Sequence, residues 1–190
     1  FYLAQSYRDY GDYINAAKWY KKRADSGGWT EEVYYSLFQY AKCMHKVNSD
    51  DKQFINNLFI AYKYRPNRLE ALYDIVRHYR IKKQQKIGYA YAMLAYKGGY
   101  KMKLPTDTLF LGRNIYSHCF IDELAVCATY TEDYYLALKL NMKLVNLINE
   151  GKINLDKKRV EENLKFSVDK YQHQITNFTT QYLKFNDTSK

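Results

Sequence analysis

The sequence predicts an all-α fold, in which helix pairs stack into an α-solenoid that ends in a capping helix. A unit of small and apolar residues near Leu3 returns near Leu37, Ile75 and Leu124, and the first two steps are 34 and 38 residues. Steps of this size are typical of helix pairs that bury their apolar faces only against neighbouring pairs. The 190 residues include only 2 prolines and 8 glycines, and 47% are hydrophobic. These observations favour helices, short turns and a continuous core.

Turn and cap residues set the expected helix boundaries. Gly11 marks a tight turn after the first helix, and Gly27 follows the second, where a left-handed cap favours glycine. Pro66 cannot continue a helix and closes the fourth. We expect Thr30 to cap the third helix and Asn67 the fifth through their side-chain oxygens. The predicted helices span residues 2–10, 12–26, 30–46, 51–65, 68–82, 84–97, 115–131, 133–149 and 156–175.

The segment Tyr100–Gly112 interrupts the helical pattern after the sixth helix, which we expect to end at Gly98–Gly99. Pro105 begins a turn, and the apolar run Leu109–Leu111 follows it. The segment is long for a connection between helices. Two roles therefore stay open, namely packing over the edge of the helix pairs and acting as a lid or docking loop.

The repeats and the end of the chain form two expected parts. Residues 1–150 contain the helical repeats, in about four pairs. In residues 151–190 we expect a capping helix and then a polar tail. Val160 and Leu164 alternate with charged residues, which suits a terminal helix with a wet outer face. The polar sequence from Thr176 onward is expected to fray.

Composition narrows the functional classes. No apolar run is long enough to span a membrane, and we expect a cytoplasmic protein. The net charge of +10 suits nucleic acid, anionic lipid or acidic peptides as partners, but its spread along the chain favours compositional bias from an AT-rich genome. The cysteines Cys43, Cys119 and Cys127 form no CxxC pair and are expected to be free thiols. Because Phe1 already lies in a repeat, we expect a piece of a longer protein.

Candidate catalytic and metal-binding groups are few. His118, Cys119 and Asp122 lie close together in the sequence, but zinc would need further ligands from elsewhere. Asp122 and Glu123 are adjacent on a predicted helix and point in different directions, which argues against paired acid–base chemistry. We therefore predict no catalytic residue, no metal site and no cofactor in this chain.

The repeat unit resembles the tetratricopeptide repeat. The first copy contains Leu3-Ala4-x-x-Tyr7, Gly11-Asp12-Tyr13, Ala16 and Tyr20, and the last contains Leu124-Ala125-x-x-Ala128, Asp133-Tyr134 and Ala137. Small residues let two helices approach, while aromatic residues fill the groove between them. The middle copies depart from this pattern, because the second has a long turn at 47–51 and the third has Gly88 where alanine is usual.

Four blocks carry a second resemblance. They are Phe1–Asp9 with Gly11-Asp12-Tyr13, Gly27-Gly28-Trp29-x-Glu31-Glu32-Val33 with Tyr35-Ser36-Leu37, Arg65-Pro66-Asn67-Arg68-x-Glu70-Ala71-Leu72-Tyr73, and Asp107-x-Leu109-Phe110 with Tyr116 and Asp122–Val126. Over about residues 1–168 they resemble the helical repeat region that follows a family 2 glycosyltransferase domain in many bacterial and giant-virus proteins. The resemblance implies an upstream sugar-nucleotide domain with a metal-binding Asp-x-Asp. This chain contains no Asp-x-Asp, so the resemblance assigns no catalytic residue to it.

The first helices of the pairs present three rows of candidate binding residues on the expected concave face. The rows are aromatic (Phe1, Tyr35, Tyr73), amide and guanidinium (Gln5, Gln39, Arg77) and basic (Arg8, Lys42, Arg80). Positions one helical turn apart share a face, and such rows suit ligands with carboxylate or phosphate groups. We expect Glu32 and Glu70 to hold the basic residues in place. In the alternative interpretation the basic row only solvates the face, and the tyrosines only pack between helices.

Three functions remain open from the sequence. The first is a non-catalytic scaffold module of a glycosyltransferase-like protein, which positions an acceptor, a partner or the upstream catalytic domain and mediates self-association. The second is a free-standing adaptor that binds acidic peptides through the basic row. The third, an RNA-binding helical repeat, is disfavoured because arginine is scarce and lysine is dispersed.

Overall fold

The structure, a computed structural model, describes residues 1–98 and 103–187, with side chains described to residue 182. Gly99 and the first residues of the segment 100–112 lie outside the described residues. Over the described part, 78% of the residues are helical and none lies in a strand, which confirms the all-α class.

The helices follow the predicted order. They are α1 (Tyr2–Tyr10), α2 (Tyr13–Asp25), α3 (Thr30–Asn48), α4 (Asp51–Tyr64), α5 (Glu70–Ile81), α6 (Gln85–Tyr96), α7 (Phe120–Tyr130), α8 (Tyr134–Asn149) and α9 (Lys157–Asp187). A π-helical turn at Ile115–Cys119 leads directly into α7. Each helix packs against the helices before and after it in the chain, and α5 also packs against α7.

Two apolar clusters form the core. The larger one extends from α3 to α9 and includes Leu72, Ile75 and Leu124, all fully buried. The smaller one joins α1, α2 and α3 around Ala4 and Tyr20. Small side chains at the contacts let the first helices approach closely, as the repeat pattern predicts.

Cap geometry confirms some boundaries and corrects others. Gly11 ends α1 with φ 90°, a left-handed conformation that glycine adopts without strain, and Asp12 caps α2 by accepting a hydrogen bond from a backbone N–H. The predictions for Thr30 and Asn67 are wrong. Thr30 is the first residue of α3 and its hydroxyl oxygen accepts from Arg65 Nη1 at 3.1 Å. Leu69 occupies the cap position of α5, and its side chain makes no capping bond.

Helix α9 is longer than predicted and continues past Thr176 to Asp187. No glycine or proline follows Gly151 in the sequence, so nothing in the backbone chemistry ends the helix early. Tyr171 packs against Tyr135 of α8 with ring centroids 5.5 Å apart. Farther along α8, Asn141 Nδ2 donates to Ser167 Oγ, which lies earlier in α9, at 3.2 Å. The two helices are therefore antiparallel, and α9 extends beyond the first residue of α8.

Gly88 explains one departure from the repeat pattern. An added Cβ at this position would lie 3.2 Å from both Cys127 Sγ and the Val76 carbonyl oxygen. We expect Gly88→Val to lower the free energy of unfolding by about 1–3 kcal/mol, because α6 would have to move away from α5. Urea denaturation would measure this change. Ala90→Val, at an exposed position of the same helix, is the control, and an equal loss in both variants would contradict the proposed crowding.

Candidate functional site

A basic groove crosses the C-terminal halves of α1, α3 and α5. We use this name for the surface formed by Arg8, Lys42, Lys46 and Arg77. Two adjoining clefts of about 410 and 240 Å³ compose it, and both are lined by Lys42 and Lys46. Arg8 lines the first cleft and Arg77 the second. The groove therefore brings together positive charges from three helices.

The lysines and Arg77 are held loosely. Lys42 Nζ lies 3.6 Å from Asp74 Oδ2, and 47% of the Lys42 side chain is exposed. Lys46 and Arg77 are exposed, and neither forms an ion pair within the part of the chain that the structure describes. These three cations can therefore turn toward an anionic ligand without breaking a close pair.

Asp74 is the groove's own carboxylate. Burial raises its pKa above the usual value, while Lys42 and Arg77 act in the opposite direction. Its partly desolvated charge competes with an incoming anion for the same two cations.

Arg8 and Arg80, the ends of the predicted basic row, are more tightly bound. Arg8 donates to Asp9 Oδ1 from Nε at 3.0 Å and to the Tyr35 hydroxyl from Nη1 at 3.0 Å. Arg80 binds both carboxylate oxygens of Glu123, so it joins α5 to α7. Only 8% of the Glu123 side chain is exposed. Arg80 therefore has a structural partner, and it does not line either cleft of the basic groove.

The aromatic row packs between elements. Tyr35 is 8% exposed and lies against Phe110, with ring centroids 4.7 Å apart, and against Phe1 at 5.8 Å. Tyr73 is half-buried against the main core. Burial, with Glu123 nearby, raises the pKa of Tyr73 to about 12. These positions agree with the alternative in which the tyrosines pack between helices.

The amide row is divided by depth. Gln39 is 8% exposed and lines the larger cleft beside Lys42. Gln5 is half-buried, and Arg77 is exposed. Gln39 thus offers a polar side chain at the base of the groove, whereas Gln5 does not line its clefts.

We predicted that Glu32 and Glu70 hold the basic row in place, and this prediction is wrong. Each of the two carboxylates pairs with an arginine outside the basic row. Glu32 accepts from Arg23 Nε at 2.5 Å. Glu70 is 4% exposed and accepts from Arg68 Nε at 3.0 Å and from the Tyr116 hydroxyl at 2.9 Å.

A buried ion-pair cluster, composed of Arg65, Arg68, Glu70 and Asp107, lies at the start of α5. Arg65 donates to both carboxylate oxygens of Asp107 at 2.6 Å. Arg68 is fully buried and reaches Asp107 Oδ2 at 3.2 Å. Its guanidinium also lies over the Tyr34 ring, 4.7 Å from the centroid. The paired residues are 39 and 42 positions apart in the sequence, so the repeat pattern did not predict these pairs.

The cluster holds residues 103–112, which we call the docked segment, against α3 and α5. Arg68 donates to the carbonyl oxygens of Leu109 at 3.2 Å and Phe110 at 3.3 Å. Glu31 accepts from the backbone N–H groups of Thr108 and Leu109, both at 2.8 Å. The described part of the segment therefore packs over the helix edge, which is the first of the two roles left open by the sequence.

Lys46 is the groove residue that sequence reasoning missed. It lies four residues after Lys42 on the same helix, and this spacing could have identified it. The alignment of repeat copies placed Arg80 in the basic row instead. Equivalent positions in a repeat do not show which charged side chains already have a partner.

Other site classes find no support in the described residues. Within residues 1–98 and 103–187, no three or more His, Cys, Asp or Glu side chains are placed to hold a metal ion. Cys43, Cys119 and Cys127 are unpaired. A search of the same part of the chain found no helix with the length and apolarity that crossing a membrane requires. Comparisons of the chain with protein-family models, with curated proteins and with solved structures found no match.

Proposed function

We propose that this chain is a non-catalytic binding module, an α-solenoid of tetratricopeptide-like helix pairs whose basic groove takes an acidic peptide. The observation that carries the proposal is that Lys42 and Lys46 line both clefts, with Arg77 in the second cleft. Unlike Arg80, all three cations are exposed; Lys42 has one loose partner, and Lys46 and Arg77 form no ion pair among the described residues.

The lining of the groove suits a peptide chain with acidic side chains. Lysine ammonium groups on flexible stems can follow carboxylates at several positions. The Gln39 amide both donates and accepts, so it can pair with a peptide bond. Tyr13 and Phe54 add apolar contact area in the two clefts. Such a surface binds through many weak, salt-screened contacts.

A fluorescently labelled polyglutamate peptide is the probe for the test, and anisotropy is the measurement. We expect measurable binding that weakens with added salt, and a loss of affinity of at least about tenfold in the double variant Lys46→Glu/Arg77→Glu. Arg80→Glu is a poor test, because it would leave Glu123 buried beside a second negative charge.

Lys86→Glu is the control for a single charge reversal, to be compared with Lys46→Glu alone, since Lys86 is exposed on α6 and lies outside both clefts. Binding that survives both groove substitutions, or that falls equally with Lys86→Glu, would contradict the proposal. A single-stranded RNA that binds far more tightly than the peptide would favour the nucleic-acid alternative, with a steep dependence on salt.

For the wider context, we propose that the module belongs to a glycosyltransferase-like protein and positions an acceptor, a partner or the catalytic domain. The order of the four sequence blocks supports this proposal. Residues of the third and fourth blocks, such as Arg68 and Asp107, also contact one another, so the blocks describe a folded unit. The reading frame upstream of Phe1 is the test. An α/β domain with Asp-x-Asp is the expected finding, and a start codon just before Phe1 would overturn this context.

The compartment proposed for the chain is the cytoplasm. Three unpaired cysteines in 190 residues support a reducing environment, because oxidising compartments favour disulfides.

A further inference from the structure

Beyond Tyr171, the described side chains of α9 have no neighbouring helix. Tyr171 lies opposite Tyr135, near the first residue of α8, and every described side chain from residue 172 to 182 is exposed. We call residues 174–187 the overhang. At 1.5 Å per residue it extends about 21 Å beyond α8. Helices in proteins gain most of their stability from packing an apolar face, so an unpacked apolar face on the overhang calls for a partner.

An apolar stripe follows α9 onto the overhang with the spacing of a coiled coil. Its members alternate at intervals of four and three residues, which places them at the a and d positions of heptads. They are Leu164, Val168, Tyr171, Ile175, Phe178 and Tyr182. Leu164 and Tyr171 are half-buried, so the lower half of the stripe serves the packing of this chain. The upper half continues in the same register, and its side chains are exposed, with no helix of the described chain against them.

The uncovered part of the stripe is large. Its exposed fractions are 48% for Ile175, 71% for Phe178 and 59% for Tyr182, and Val168 adds 37%. With roughly 150–250 Å² for an aromatic side chain, these residues leave on the order of 400 Å² of apolar side chain exposed. That is the size of the largest apolar patch on a typical monomer, and such a patch is often a functional surface. Two such stripes, with the polar residues beside them, would bury about 1,000 Å², which is near the lower limit for a specific interface.

The residues beside the uncovered stripe carry no charge. Positions e and g of a coiled coil decide whether two helices attract or repel each other. On and next to the overhang these positions are Gln172, Gln174, Thr179 and Gln181. The whole chain has a net charge of +10, so most of its surface would repel a second copy. The stripe is therefore a face where two identical chains can meet without like charges opposed.

We propose that the overhang is a self-association element, in which the a and d residues of two copies of this chain pair as a two-stranded coiled coil. β-Branched Val168 and Ile175 at a positions suit two strands, although the neighbouring d positions hold Tyr171 and Phe178 in place of leucine. The seam is short, so the dimer is weak and depends on concentration. It is separate from the basic groove, and ligand binding there is not needed for it.

Sedimentation velocity on the whole chain over a wide range of concentrations tests the proposal. We expect the wild type to convert from monomer to dimer as its concentration rises. Phe178→Glu places a charge in the seam of both copies and should raise the dissociation constant at least about tenfold. Phe178→Leu keeps an apolar d residue and should retain the dimer.

The matched control is Thr180→Glu, which adds the same charge two residues away on the opposite, exposed side of the helix. It should leave the dimer intact. Circular dichroism on each variant reports whether the helices are retained. A wild type that stays monomeric at every concentration would overturn the proposal. So would equal weakening by Phe178→Glu and Thr180→Glu, or a dimer that Phe178→Glu leaves unchanged.

Discussion

Arg68→Ala should lower the free energy of unfolding by about 3–5 kcal/mol, which is the usual cost of removing one partner from a buried ion pair. The Arg68 side chain is 1% exposed, and those of its partners Glu70 and Asp107 are 5% and 0% exposed. The substitution removes the cation from beside Glu70. It also leaves the Leu109 and Phe110 carbonyl oxygens without the donor that satisfies them.

The reason for the large effect is the cost of an uncompensated charge rather than a strong net attraction. A buried pair gains little over well-packed apolar residues, but half of such a pair leaves a charge without water or partner. Asp107 keeps Arg65, whereas Glu70 keeps only neutral donors from Tyr116, Tyr34 and the Gly112 backbone. The uncompensated buried charge of Glu70 therefore accounts for most of the expected loss of stability.

Chemical denaturation of wild type and variant measures this prediction. Arg113→Ala is the control, because Arg113 is an exposed arginine just beyond the docked segment, and it should change stability by less than about 0.5 kcal/mol. Arg68→Lys should give an intermediate loss, since an ammonium group cannot reach all the acceptors that the guanidinium spans. A loss below about 1 kcal/mol for Arg68→Ala would show that the cluster matters little to stability.

Asp107→Ala should release the docked segment at a smaller cost of about 2–3 kcal/mol. Arg68 keeps Glu70 as its partner, and Arg65, whose side chain is 24% exposed, can turn toward water. The segment loses three hydrogen bonds to its carboxylate, at 2.6, 2.6 and 3.2 Å. We therefore expect the docked segment to detach under conditions in which the helices remain folded.

Limited trypsin digestion followed by mass spectrometry measures the release. Lys103, the first residue of the segment, and Arg113, just beyond it, are exposed, so cleavage at both should become faster in Asp107→Ala. Thr108→Ala is the control, because it removes an exposed side chain and keeps the backbone N–H that donates to Glu31. Unchanged cleavage in Asp107→Ala would mean that other contacts hold the segment.

The ion pairs of Asp107 with Arg65 and Arg68 predict that the free energy of unfolding depends on pH. Burial alone would raise the pKa of Asp107, but the bonds from Arg65 and Arg68 outweigh it and hold the pKa below the usual 3.8. A lowered folded-state pKa means that the stabilisation is fully present above pH 3.8 and is lost as the pH falls through the folded-state value. The difference in stability between wild type and Asp107→Ala should therefore shrink below that pH.

Local chemistry predicted most helix boundaries. The turn at Gly11 and the break at Pro66 depend on neighbouring residues, which a single sequence shows directly. The prediction of Thr30 as a cap was wrong because Thr30 is already the first residue of α3, and its hydroxyl accepts from Arg65, the residue that follows α4. The predicted end of α9 was wrong because a polar sequence alone does not end a helix.

The candidate site was harder to predict, because its properties depend on pairs between elements. The repeat alignment treated Lys42 and Arg80 as equivalent, yet one faces Asp74 at 3.6 Å and the other binds both oxygens of Glu123. The sequence pattern predicted Tyr35 on the binding surface, but Phe110, from a segment outside the repeat, packs against it. Neither partner follows from helical periodicity.

The docked segment limits how this architecture can evolve. Arrays of stacked repeats commonly gain or lose units, since each unit contacts only its neighbours. Here Phe110 lies against Phe1 and Tyr35, while Tyr116 binds Glu70, so one connection spans several helices at once. Duplicating or deleting a helix pair between α1 and α7 would displace these contacts by roughly the 8–10 Å spacing of packed helices. We therefore expect descendants of this chain to change by substitution and at their termini, with the number of pairs before α7 inherited unchanged.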